Sequence, residues 1–82
     1  MHEVYILQSE KDLSYYIGEA PNSDERLIFH NSGRQRYTRS RIPWMLIYSE
    51  KHENRYNALI REKQIKRKKS RKYIGWLIKN KK

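Results

Sequence analysis

Two short blocks near the N-terminus, residues 4–7 and 15–18, are apolar and rich in Val, Ile and Tyr. Such blocks predict β-strands. The polar stretch between them, QSEKDLS, predicts a hairpin loop. A hairpin symmetric about Glu10 and Lys11 sets Tyr5 opposite Tyr16. Alternation then sends Val4, Ile6, Tyr15 and Ile17 to one face and both tyrosines to the other. Pro21 ends the second strand. Asn22, with Glu25 three residues on, is a helix start, and Gly33 is a helix stop, which predicts a helix from about residue 22 to 31. The following SGRQRYTRSRIP is polar and aperiodic, a loop with room for one helical turn. WMLIYSE then carries a nearly continuous apolar run from Trp44 to Tyr48, which reads as a central strand buried on both faces. From about Asn54 the period is helical, with Ala58, Leu59 and Ile65 in the apolar stripe. A short terminal helix is expected over residues 73–78, where Gly75 costs about 1 kcal/mol relative to alanine. No repeat or linker interrupts this order, so the 82 residues read as one domain, 1–82.

Charge changes the picture most. Nineteen Lys and Arg against nine Asp and Glu give a net charge of +10. Such a field attracts polyanions, nucleic acid foremost. The chain has no cysteine, which excludes disulfides and thiolate zinc sites and fits a reducing cytoplasm. MHEVYIL has no basic leader pattern, and no apolar stretch approaches the roughly 20 residues of a bilayer span. A cytoplasmic protein with no membrane partner is therefore expected.

Several side chains could carry chemistry. Glu62 lies three residues after Leu59 and three before Ile65, inside the apolar stripe of its helix. A buried carboxylate there needs either a cationic partner or a metal ion. Mg²⁺ often uses one or two protein carboxylates and completes its shell with water and phosphate oxygens. Arg26 and His30, four apart, project from one face of the first helix. They suit either an exposed pair or phosphate chemistry. Tyr5 and Tyr16 are ordinary strand aromatics unless a cation activates them, because an unperturbed phenol has a pKa near 10. Arg34, Arg36, Arg39 and Arg41, with Tyr37 among them, and Lys63, Lys66 and Lys69 further on, are either solvated faces or a track for phosphates. Tyr37 could stack on a base.

Together these residues resemble the GIY-YIG nuclease domain, over about residues 3 to 78. Glu3-Val4-Tyr5 stands where that family has Gly-Ile-Tyr, and Tyr16-Ile17-Gly18 matches its second motif in full. ERLIFHNSG carries Arg26 and His30, and ALIREKQIK carries Glu62, at the family's positions. Glu19-Ala20 follows Gly18 where many relatives carry Thr or Ser at the second position. The chain looks most like the small stand-alone bacterial members. The resemblance implies an α+β fold, a three-stranded antiparallel sheet flanked by helices in the order β-β-α-(α)-β-α-α. It also implies a DNA endonuclease that uses one Mg²⁺ or Mn²⁺ ion held by Glu62. Tyr5 would act as general base or orient the attacking water, with Tyr16 supporting it. Arg26 would stabilise the phosphate, and His30 would assist proton transfer or bind phosphate. With no separate recognition element, weak or structure-selective cleavage is expected, in DNA repair or processing, with RNA as an alternative substrate and a protein partner as a source of targeting. Two other readings keep the same charge: a module of this fold that binds nucleic acid without cutting it, and a ribosome-associated basic protein.

Overall fold

The computed structural model describes residues 1–68 and 70–81. Chain order is β1 (His2–Ser9), β2 (Tyr15–Ala20), α1 (Ser23–Asn31), a 3-10 turn (Arg39–Arg41), β3 (Trp44–His52), α2 (Arg55–Lys68) and α3 (Arg71–Lys79). The strands form an antiparallel sheet in the order β2-β1-β3. This is the α+β architecture expected, with helices on both faces of the sheet.

Alternation along β1 divides the core into two layers. Val4 and Ile6 point to one face, where they meet Tyr48, Ala58, Ile65, Ile74 and Leu77 under α2 and α3. Tyr5 and Leu7 point to the other, with Ala20, Trp44, Leu27 and Leu46 beside α1. Four consecutive buried residues, Val4 to Leu7, mark β1 as the central strand.

The sequence pattern assigned that place to residues 44–48, and the structure corrects it. β3 is an edge strand, and its pairing with β1 shifts register between Ile6 and Leu7, so that Leu7 faces Leu46 and Ile6 faces Tyr48. Ile47 is the extra residue of a bulge, which reverses the alternation. Trp44 and Leu46 therefore join the α1 layer, and Ile47 and Tyr48 the α2 layer. An apolar run without alternation here records a phase change, and Met45 stays exposed.

The hairpin register is corrected as well. Tyr5 lies opposite Gly18, and Tyr16 lies opposite Leu7. The loop closes one residue later than assumed, on Ser9 and Ser14, with Ser9 N–H donating to the Ser14 carbonyl at 2.9 Å. Ser9 Oγ accepts from the backbone N–H of Lys11 and Asp12 at 3.0 and 3.3 Å, and Leu13 completes the turn at φ 63°. A shift of two positions keeps every side chain on its face, so both tyrosines still share one side of the sheet.

Helix starts follow the capping chemistry. Asn22 Oδ1 accepts the Glu25 N–H at 3.1 Å. Glu3, at the position of the motif glycine, accepts both the Ser23 N–H and hydroxyl at 2.7 and 2.6 Å. A carboxylate at a helix N-terminus satisfies an orphan donor and complements the helix dipole. Ser70 caps α3 through the Tyr73 N–H. Across the α2 layer, Glu50 accepts from the Tyr48 hydroxyl and from Arg61 Nε, the latter at 2.7 Å. Arg61 also donates to Tyr73 at 3.3 Å, which ties α2 and α3 to β3. No described helix is long and apolar enough to cross a membrane.

Candidate active site

On the α1 side of the sheet, Tyr5, Tyr16 and His30 come together. Ring centroids lie 6.4 Å apart for Tyr5 and Tyr16, 6.0 Å for Tyr5 and His30, and 4.8 Å for Tyr16 and His30. β1 supplies Tyr5, β2 supplies Tyr16, and the last turn of α1 supplies His30. The tyrosines meet as diagonal rather than direct cross-strand neighbours, a spacing still within reach of aromatic rings.

Tyr5 is 1 % exposed, and its ring lies across Gly18. A Cβ at position 18 would stand 2.5 Å from Tyr5 Oη. The glycine of YIG is thus required here by close approach, not by backbone conformation. Burial pushes the Tyr5 phenol well above its ordinary pKa, and Tyr16 and Glu62 add to the rise, while Arg26 opposes it through a hydrogen bond and its charge. Tyr5 is therefore a neutral hydroxyl.

His30 is fully buried (0 % exposed). Its Nε2 lies 3.0 Å from Tyr5 Oη and its Nδ1 lies 2.9 Å from Thr38 Oγ1. Burial, reinforced by the charge of Arg26 and opposed by Gln35, lowers its pKa to about 4. The imidazole is neutral at pH 7, so one ring nitrogen donates and the other accepts, and the Tyr5 and Thr38 hydroxyls, each able to do either, satisfy both. With both nitrogens engaged below the surface, His30 has no free edge for a phosphate. The exposed-pair reading of Arg26 and His30 fails for His30, because the last turn of α1 packs against β1 and the loop carrying Thr38.

Arg26 faces a cleft of about 570 Å³ that Phe29, Glu19, His2 and Arg55 also line. Its guanidinium lies 4.3 Å from the Phe29 ring centroid, which holds one face of the fork. Glu19 brings a carboxylate to this cleft, but His2 pairs with it and Arg55 approaches to 3.6 Å. The Arg55 guanidinium thus offsets part of its charge.

Glu62 is largely buried, its side chain 14 % exposed, and one oxygen lies 3.5 Å from Lys66 Nζ. Of the two alternatives for a carboxylate in the stripe, the structure shows the cationic partner, and the negative charge of Glu62 also raises the Tyr5 phenol slightly. No group of three or more His, Cys, Asp or Glu that could hold a metal occurs among the described residues. A lone carboxylate fits an ion that takes most of its shell from water and substrate oxygens, as Mg²⁺ does, and does not fit a closed protein cage.

Of the basic positions, Arg34, Arg36 and Arg39 are exposed, as are Lys63 and Lys66. Arg41 is half-buried, 3.5 Å from Asp12 and over the Tyr37 ring at 5.9 Å. Lys69 lies outside the described residues. Thr38, buried against His30, escaped the sequence reading, as did Gln35, whose Nε2 donates to Tyr16 Oη at 3.4 Å. Both lie in an aperiodic basic loop, and no local signal separates them from their neighbours. Gly18 was signalled only as a motif letter.

The GIY-YIG catalytic domain matches residues 1–74 of the chain. A UPF0213 protein of Streptococcus pneumoniae serotype 4 is 41 % identical over 70 residues, which cover 83 % of this chain and 71 % of the relative. A UPF0213 protein of Bacillus cereus is 39 % identical over 77 residues, 89 % of this chain and 79 % of the relative. One from Staphylococcus saprophyticus is 41 % identical over 66 residues, 79 % of each. No solved structure matches the chain.

Proposed function

The chain belongs to the GIY-YIG catalytic-domain family, and from that premise we propose that it is a divalent-metal-dependent endonuclease that hydrolyses DNA phosphodiester bonds. One observation carries the reading: a Tyr5 hydroxyl bonded to a neutral, buried His30 beside an arginine that faces an open cleft.

Arg26 binds the scissile phosphate and neutralises the charge that builds on its equatorial oxygens. Tyr5 Oη directs its lone pair at the attacking water and takes up its proton, while its own proton passes to His30 Nε2. A group with a pKa of about 4 is a weak base, and a phosphate bound at Arg26, by offsetting the arginine charge that lowers this pKa, favours its protonation. Thr38, bonded to Nδ1, orients the imidazole with Nε2 toward Tyr5, in the tautomer in which Nε2 accepts. Tyr16 packs on both partners and fixes their geometry. Glu62 would hold Mg²⁺ or Mn²⁺, which when bound supplies Lewis-acid stabilisation and removes the negative charge that helps keep Tyr5 protonated. The exposed Arg34, Arg36 and Arg39 track flanking phosphates, and the whole domain, 1–82, works in the cytoplasm on repair or processing intermediates, with a partner protein as the source of targeting.

The test is cleavage of labelled DNA by wild type and Glu62→Gln, with Mg²⁺, Mn²⁺ or EDTA. Cutting that requires metal and falls about 10²–10³-fold in the variant, as for loss of one transition-state contact, is the expected result. Binding without cutting by both proteins would favour the non-cleaving module, a reading that the Lys66–Glu62 ion pair supports.

A further inference from the structure

A second open cleft of about 360 Å³ runs along β2, lined by Tyr15, Tyr16, Ile17, Tyr37 and Lys66. β2 is an edge strand, so this cleft opens at the margin of the sheet. Tyr16 belongs both to its wall and to the Tyr5–His30 cluster. Its walls are mostly aromatic and its margins are cationic. The Tyr37 ring lies 6.2 Å from that of Tyr16, tilted by 49°, yet Tyr37 is 69 % exposed. Arg71 stands over the Tyr15 ring at 4.6 Å and Arg41 over the Tyr37 ring at 5.9 Å.

We infer that this cleft is a nucleobase subsite, which takes one unpaired base next to the phosphate held at Arg26 and so directs the protein to unpaired strands. The inference rests on the nuclease reading for the position of that phosphate. Three observations point the same way. An exposed tyrosine ring beside a second aromatic wall is a stacking platform, and stacking accepts any base because every base has a π-face. Lys66 lines the cleft and Arg41 stands over its Tyr37 wall; each also approaches a carboxylate, Glu62 or Asp12, and both bring positive charge toward the phosphates flanking a base seated there. Tyr16 forms one wall of the cleft and also packs against Tyr5 and His30, which places a base seated there beside the candidate active site. A base inside a duplex is stacked above and below and reaches such a cleft only after extrusion, which is least costly where it is already unpaired.

The experiment uses the full chain in EDTA at one fixed salt concentration. Its probes are a single strand, a 5′-flap and a blunt duplex of equal length, with 2-aminopurine at the unpaired position or its paired equivalent. The expected result is about tenfold tighter binding of the strand and the flap than of the duplex, with quenched 2-aminopurine fluorescence. Tyr37→Ala loses most of that preference and the quenching, and Tyr37→Trp keeps both. Equal affinity of wild type for duplex and single strand overturns the inference. So does an equal loss on all three probes in Tyr37→Ala. Because no cutting is required, an intact preference in a protein that never cleaves would sink the nuclease reading alone. Metal-dependent cleavage without the preference would sink the subsite alone.

Discussion

His30 shows how much one buried group can set. An imidazole held at a pKa of about 4 against an ordinary value of 6.5 releases its proton on folding. Between those values the unfolded chain binds more protons than the folded one, so folding stability falls as pH drops from about 6.5 to about 4 and is fully present above that window. The loss from this group reaches up to about 3 kcal/mol. Glu3 and Glu50 act at lower pH. Burial raises each carboxyl, but hydrogen bonds from Ser23, or from Tyr48, Arg61 and His52, outweigh it and the net shift is downward. Their contribution is lost only below the usual glutamate range. Urea denaturation of wild type and His30→Gln across a pH range of about 4.5 to 7.5 separates the two, and the variant is expected to lose the slope above about pH 5. An unchanged slope would mean that His30 is not held neutral. The four-residue spacing of Arg26 and His30 was legible in the sequence because helix geometry is local. Thr38, which fixes the imidazole from a loop eight residues on, was not, because nothing short of the packed loop brings it there.

Element by element, strands and helices were legible wherever a cap or a period marked them, as at Asn22, Gly33 and the α2 stripe. Pairing was legible only in parity. Both tyrosines fall on the predicted face, but Ser9 chooses the loop, and with it the partner of each residue. The bulge at Ile47 likewise hid the edge position of β3, since a phase change and burial on two faces leave the same apolar run. The true register makes Tyr5 and Gly18 a coupled pair between β1 and β2. Gly18→Ala places a methyl 2.5 Å from Tyr5 Oη and 2.7 Å from its ring carbon Cζ, and it should cost about 1–3 kcal/mol as overpacking does. Adding Tyr5→Leu, which removes the ring, should make the double variant less destabilised than the sum of the two single changes. Urea midpoints of the four proteins measure that coupling, and strict additivity would contradict the contact.

At the scale of the molecule, the sheet separates two tasks. The α2 and α3 layer holds the larger apolar cluster and the Glu50–Arg61 network. The α1 layer carries Tyr5, Tyr16 and His30, with Arg26 facing an open cleft. Glu62 belongs to a helix of the first layer yet acts on the phenol of the second, and α2 packs along both β1 and β2. A net charge of +10 surrounds this arrangement, a field that favours polyanions without regard to their sequence. Element order, charge and candidate residues were therefore all readable from the chain. The burial of His30 against Tyr5 and Thr38 required the fold.

The central claim is that the Tyr5 hydroxyl takes part in phosphodiester hydrolysis, and single-turnover cleavage by Tyr5→Phe tests it most directly. The substitution removes one oxygen and leaves the ring across Gly18 and the charge of the cleft in place. The rate constant for cleavage of a saturating flap DNA in Mg²⁺ should fall about 10²–10³-fold, with unchanged DNA affinity in EDTA. Cleavage by Tyr5→Phe at the wild-type rate would contradict the account and return Tyr5 to the core as a structural aromatic.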